Sequence, residues 1–147
     1  MNRVVAAATV LAALMLAGRA KAADHKIHML NKCEKGTMVF QPDFVQAAPR
    51  DTVTFVPTDK GHDAESIKGM IPDGADPFKG KMSEQISVKL DKEGVYGVKC
   101  TPHYGMGMVA LIVVGKPVNL DQAKTVKQPG KAKTVFADLL SKVPAGN

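Results

Sequence analysis

Apolar and polar residues alternate in short runs from Lys26 to Gly115 and then recur at a longer period towards the end of the chain. In DTVTF (Asp51–Phe55), Val53 and Phe55 fall on one side and Thr52 and Thr54 on the other; in ISVKL, Ile86, Val88 and Leu90 do the same. A period of two belongs to a strand with one buried face. GVYGVKC sets Tyr96, Val98 and Cys100 against Val95, Gly97 and Lys99, whereas MVALIVVG (Met108–Gly115) is apolar throughout, as a strand covered on both faces should be. HKIHML predicts a first strand near residue 26. Breaks rich in Pro, Gly and Asp (APRD, PTDKG, IPDGADP, DKEG, TPHYG) separate these runs. Short strands between such breaks predict a mainly β fold, an antiparallel β-sandwich.

After Pro117 the period lengthens. Asn119 with Gln122 resembles an N-terminal capping pair for a short helix over Leu120–Val126. Ala132, Val135, Phe136, Leu139, Leu140 and Val143 then follow i, i+3, i+4, i+7 spacing, which predicts a second helix after Pro129-Gly130. The expected organisation is one domain over 23–147, with the sandwich at about 23–116 and two helices at about 117–147 forming an appendage packed on it.

The first 22 residues change the composition that matters. Arg3, the apolar run Val4–Ala17 and Ala20-Lys21-Ala22 read as a secretory signal peptide over 1–22 with an A-x-A cleavage site. The run is too short to span a bilayer, so a soluble exported product is expected. The leader holds three basic residues and no acidic one, so the mature chain keeps 17 basic and 14 acidic side chains. That excess is too small to argue for nucleic acid binding. Export invites a disulfide, and Cys33 and Cys100 are the only candidates. The neighbours of Cys100 make a competing demand on its sulfur.

GVKCTPHYGMGM places a thiol, an imidazole and a thioether within nine residues, at Cys100, His103 and Met108. Pro102 ends the ladder after Cys100, and Gly105 and Gly107 let the loop fold back. One loop can thereby aim three side chains at one point. His62, in the loop after the strand ending near Val56, offers a fourth. Two imidazoles, a thiolate and a weak axial Met make the blue-copper pattern. Zinc fingers need a second Cys pair and haem attachment needs C-x-x-C-H, and neither occurs. With four protein donors assigned, no position is left for a substrate, which favours an electron carrier over an enzyme. A nucleophilic Cys100 with His103 or His62 as base would leave Met108 without a role.

The segments HMLNK, MVF, DTVTFVPTDKGH, ESIKGMIPDGA and GVYGVKCTPHYGMGMV, with the two C-terminal helices, resemble the pseudoazurin family of cupredoxins over essentially the whole mature chain. The resemblance implies a Greek-key sandwich of about eight strands and a periplasmic one-electron carrier with one type 1 copper ion. It implies His62, Cys100, His103 and Met108 as ligands, with Asn31, Met38 and the backbone N–H of Asp63 beside them. It also implies redox partners such as nitrite reductase and a cytochrome donor, no membrane attachment and a monomer. Two positions depart from the family: Asp63, where Asn is common, and Cys33, where Gly is usual. An ionised Asp63 should favour Cu(II), and an exposed Cys33 could join two molecules.

If that fold holds, Lys32, Lys60, Lys79, Lys81, Lys99 and Lys131 ring an apolar patch of Pro102, Tyr104 and Met106 around His103, suited to steering towards an acidic partner. Cleavage after Ala22 would expose Ala23-Asp24-His25, whose amine, amides and imidazole could hold a second Cu(II) in a square plane. His28 reads as structural. The alternative to a shuttle is a copper-delivery protein, which would need readily exchangeable metal.

Overall fold

The computed structural model describes residues 20–145, so the expected leader lies outside the described residues as far as position 19. Among the described residues, eight strands form two four-stranded sheets. The first sheet has the order β2-β1-β4-β6, from Gly36–Gln41, Asp24–Cys33, Asp51–Val56 and Ile86–Leu90. The second has the order β3-β8-β7-β5, from Phe44–Ala47, Val109–Val114, Gly94–Lys99 and Glu65–Ser66. Helices α1 (Leu120–Lys124) and α2 (Ala132–Ser141) follow.

The sandwich is not wholly antiparallel, as the strand pattern had suggested. β1 pairs with β4 in parallel, and so does β3 with β8. Alternation reveals which face of a strand is buried but says nothing about its neighbour, so connections that cross between sheets leave no local mark.

Each apolar set finds its partner. Ile27, Met29, Phe40, Val53, Phe55, Tyr96, Val98, Ala110, Ile112 and Val114 fill the space between the sheets. The opposite faces of β7 and β8, through Val95, Val109, Leu111 and Val113, pack on Phe136, Leu139 and Ala132 of α2 and Ala123 of α1. This double covering is why Val109–Val114 is buried along its full length. A ten-residue helix is too short to hold itself together in water. Burial of Phe136 and Leu139, about 1.5–3 kcal/mol each, therefore carries α2.

Asn119 stands at the N-cap position of α1, as expected, but its side chain makes no capping bond, and the helix ends at Lys124 rather than Val126. Its side chain instead grips β7: Oδ1 accepts from the Val95 N–H at 2.7 Å, and Nδ2 donates to the Val95 carbonyl at 2.9 Å. Two bonds to a buried backbone outweigh one exposed helix donor. The side chain ties the helical segment to the strand that leads to Cys100.

Candidate metal centre

Cys100 directly follows β7 and is fully buried. The chain then makes a 3₁₀ turn over Thr101–Met106, with Pro102 inside its first turn, and re-enters the sheet at β8. The turn is closed by its own backbone. The Cys100 N–H donates to the Met108 carbonyl at 3.0 Å, and the Met108 N–H to the His103 carbonyl at 3.2 Å. Met108 is fully buried in the same cluster as Cys100, and Met38 packs against that cluster from β2.

His62 arrives from the loop after β4. Ser83, in the segment before β6, holds that loop: its hydroxyl accepts from the Gly61 N–H at 2.8 Å, and its N–H donates to the His62 carbonyl at 2.8 Å. The His62 ring is fully enclosed, whereas His103 is half-buried.

Three donor atoms converge. The Nδ1 atoms of His62 and His103 are 3.2 Å apart, and the Cys100 Sγ lies 3.7 Å from the first and 3.5 Å from the second. A point equidistant from the corners of such a triangle sits about 2.0 Å from each. That matches metal–nitrogen bonds of about 2.0–2.1 Å and falls slightly short of a metal–thiolate bond of about 2.3 Å. The space fits a transition-metal ion.

The surrounding bonds prepare these atoms for that use. Asn31 Oδ1 lies 2.8 Å from His62 Nε2, and a carbonyl oxygen can only accept. Nε2 therefore carries the proton, and the Nδ1 lone pair faces the other donors. Burial, and then the neighbouring His103, push the His62 pKa down and keep the ring neutral. Burial raises the Cys100 thiol to about 11 in the absence of metal, with the Asp63 and His103 N–H groups offsetting part of the rise. A metal taken up here must displace that proton. The Asp63 carboxylate is itself buried and accepts the Thr101 N–H at 2.6 Å.

Of the three expected neighbours, Asn31 contacts His62 and the Asp63 N–H faces the Cys100 sulfur, while Met38 packs on the core cluster that contains Cys100 and Met108. Sequence reading missed Ser83, Asp59 (whose carboxylate accepts the Asn31 N–H at 2.7 Å) and Glu65 (which accepts the Thr101 hydroxyl at 3.0 Å). Each acts across the fold rather than along the chain; Asp59 and Glu65 stand within DTVTFVPTDKGH and ESIKGMIPDGA, but those segments do not show what the carboxylates reach.

Five of the six lysines expected to ring the site are exposed: Lys32, Lys60, Lys79, Lys81 and Lys131. Lys99 is half-buried, with its ammonium 3.8 Å from Glu65 and 5.1 Å from the Tyr104 ring centre, so its charge is already partnered. Pro102 and Met106 are exposed beside His103. At the other end of the chain, His25 is drawn into β1 and its Nε2 lies 2.8 Å from Asp51 Oδ2. The Ala23 N–H donates to the same carboxylate at 2.9 Å. Both contacts tie the start of β1 to Asp51 of β4. His28 Nδ1 lies 2.8 Å from the Thr58 hydroxyl, a structural contact as expected. Among the described residues no helix is long and apolar enough to cross a membrane.

Comparison with known proteins agrees with this geometry. Residues 27–115 match the family model for copper binding proteins of the plastocyanin/azurin family. The chain is 54% identical to the pseudoazurin of Paracoccus pantotrophus over 128 residues, covering 86% of this chain and 88% of that one. It is 52% identical to the pseudoazurin of Methylorubrum extorquens over 84% of each. The crystal structure of native pseudoazurin from Hyphomicrobium denitrificans superposes with a TM-score of 0.80 at 51% identity, covering 83% of this chain and 99% of that one.

Proposed function

The chain belongs to the plastocyanin/azurin family of copper-binding proteins and, within it, to the pseudoazurins, and on that premise we propose that it is a periplasmic one-electron carrier. Its single copper would be held by His62, Cys100, His103 and Met108. Bound there, copper supplies reversible one-electron exchange between Cu(I) and Cu(II). The observation that carries the reading is the buried triangle of two imidazole nitrogens and one sulfur, already spaced for a metal before any is bound.

The protein's part is to keep that triangle unchanged in both oxidation states. Asn31 fixes the His62 tautomer, Asp63 holds the start of the ligand loop, and the Cys100–Met108 backbone bond closes it. His62 and Cys100 are sealed from solvent, while His103 is only half-buried, so the edge at His103 is the short path for an electron. Pro102 and Met106 give that edge an apolar rim. The exposed Lys60, Lys79, Lys81, Lys32 and Lys131 would steer an acidic redox partner towards it, raising encounter rate more than affinity. Nitrite reductase as acceptor and a cytochrome as donor fit that chemistry.

A visible absorption spectrum of the oxidised, copper-loaded protein tests the site, since a Cu(II)–thiolate bond gives an intense charge-transfer band. Rapid mixing of the reduced protein with a nitrite reductase at increasing salt tests the role. Oxidation that is fast and slows with salt is expected; a colourless protein, or one the reductase does not oxidise, refutes the proposal. A copper-delivery role instead predicts rapid metal loss to a competing chelator.

A further inference from the structure

The turn that carries Cys100, His103 and Met108 is anchored on two sides. On one side Asp63 and Glu65 hold Thr101. On the other side lies the segment between α1 and α2. The Lys131 N–H donates to the Gly105 carbonyl at 2.9 Å, in the middle of the turn. The Tyr104 hydroxyl donates to Gln128 Oε1, and the Gln128 amide donates onward to Met70 Sδ at 3.0 Å. Met70 is wholly buried beneath the helices, so this relay roots the turn in the second core.

Gly130 sits at the point of closest approach. A Cβ there would stand 2.5 Å from the Gly105 carbonyl oxygen and 3.4 Å from its Cα, and the residue has φ +48°. Backbone cannot yield as a flexible side chain can, so any side chain at 130 must push the turn and the linker apart. At Gly107, farther along the turn, an added Cβ would meet Val135 of α2 at 3.1 Å.

We propose that the linker between the two helices is a brace for the metal-ligand turn, with Gly130 and Gln128 as positioning residues that hold His103 and Met108 in register with Cys100. The inference rests on the copper reading above. It assigns the C-terminal helices a part in tuning the site, beyond covering the sheet. Sites held to within about half an ångström need such support from residues that touch no ligand.

The test compares copper-loaded wild type with Gly130→Ala, Gln128→Leu and Gly74→Ala. Gly74 is a matched control: it has φ +80°, and its added Cβ would meet only Lys92 Cε, at 3.6 Å. The readouts are the intensity ratio of the visible bands, the reduction potential and, in the metal-free protein, the exchange rate of the Lys131 amide hydrogen. Gly130→Ala and Gln128→Leu are expected to shift the band ratio and potential and to speed Lys131 exchange. Gly74→Ala is expected to lower Tm while leaving all three unchanged. Should Gly130→Ala not fold, Gln128→Leu decides alone. Wild type with the visible band, and folded variants identical to it, overturn this inference only. Wild type without the band sinks the copper reading and this inference with it.

Discussion

Replacing Asn31 by Leu isolates the contribution of the hydrogen bond that sets the His62 tautomer. In the metal-free protein the loss is partly relieved, because the neutral ring can move its proton from Nε2 to Nδ1, where His103 Nδ1 at 3.2 Å can accept it. With metal on Nδ1 that escape is closed, and the Nε2–H must face a hydrocarbon. An unpaired buried donor costs about 1–3 kcal/mol, and losses of such ligand-orienting partners weaken metal binding about 10–100-fold, or about 1.4–2.8 kcal/mol. The two ranges agree. Because Asn31 lies at the surface, some water reaches the bond, which points to the lower end, about tenfold. Leu covers the ring edge and Ala would admit water, so Asn31→Ala should lose less than Asn31→Leu. Asn31→Asp keeps an acceptor and should bind nearly as wild type does.

Competition with a chelator of known copper affinity measures the loss, and Tm of each metal-free variant separates it from instability. Equal affinity for wild type and Asn31→Leu would refute the reasoning. Equal losses for Leu and Asp would show that the side chain matters through packing and not through the proton it fixes.

Asp63→Asn removes a carboxylate beside the thiolate while preserving an oxygen for the Thr101 N–H, so the reduction potential should rise; a redox titration showing no change or a fall defeats this. Asp51, held by His25, Ala23 and Ala48, has its pKa lowered from 3.8 to about 2. Its stabilising contribution is therefore complete above pH 3.8 and disappears as pH falls through about 2. Tm of wild type should exceed that of Asp51→Asn at pH 5, and the two should meet near pH 2; a constant gap would contradict the assignment. A thiol reagent should label the copper-loaded protein once, at the half-buried Cys33, and label buried Cys100 only after metal removal and slowly, since its thiol is raised to about 11. Two fast labels by mass spectrometry on loaded protein would contradict this. Non-reducing gels of air-exposed protein showing only monomer would rule out a Cys33-linked dimer.

Which of these residues the sequence reveals follows from the distance over which each acts. Cys100, His103 and Met108 stand within nine residues because one turn carries them, so their spacing alone discloses the chemistry. The double covering of Val109–Val114 shows as an unbroken apolar run for the same local reason. Asn119 misleads because a capping residue and a backbone clamp use the same side chain, and only the position of Val95 decides between them. The parallel pairings leave no trace because a strand's own pattern is blind to its neighbour.

The groups that give the donor triangle its rigidity are the hardest to see, and this follows from what rigidity requires. A loop that bonded only to itself could hinge as a unit when the metal changes charge. Holding it still takes contacts to parts of the fold that cannot move with it. Ser83 reaches Gly61 across 22 residues, Asn31 reaches His62 across 31, and Gln128 reaches Tyr104 across 24. Such pairs are spread through the chain with ordinary residues between them. A motif can therefore disclose which atoms face the metal, while the constancy of their spacing depends on residues outside it. Substitutions that remove the Ser83 hydroxyl should accordingly loosen the His62 loop, because the Gly61 N–H loses its acceptor there, while the backbone N–H of residue 83 still holds the His62 carbonyl.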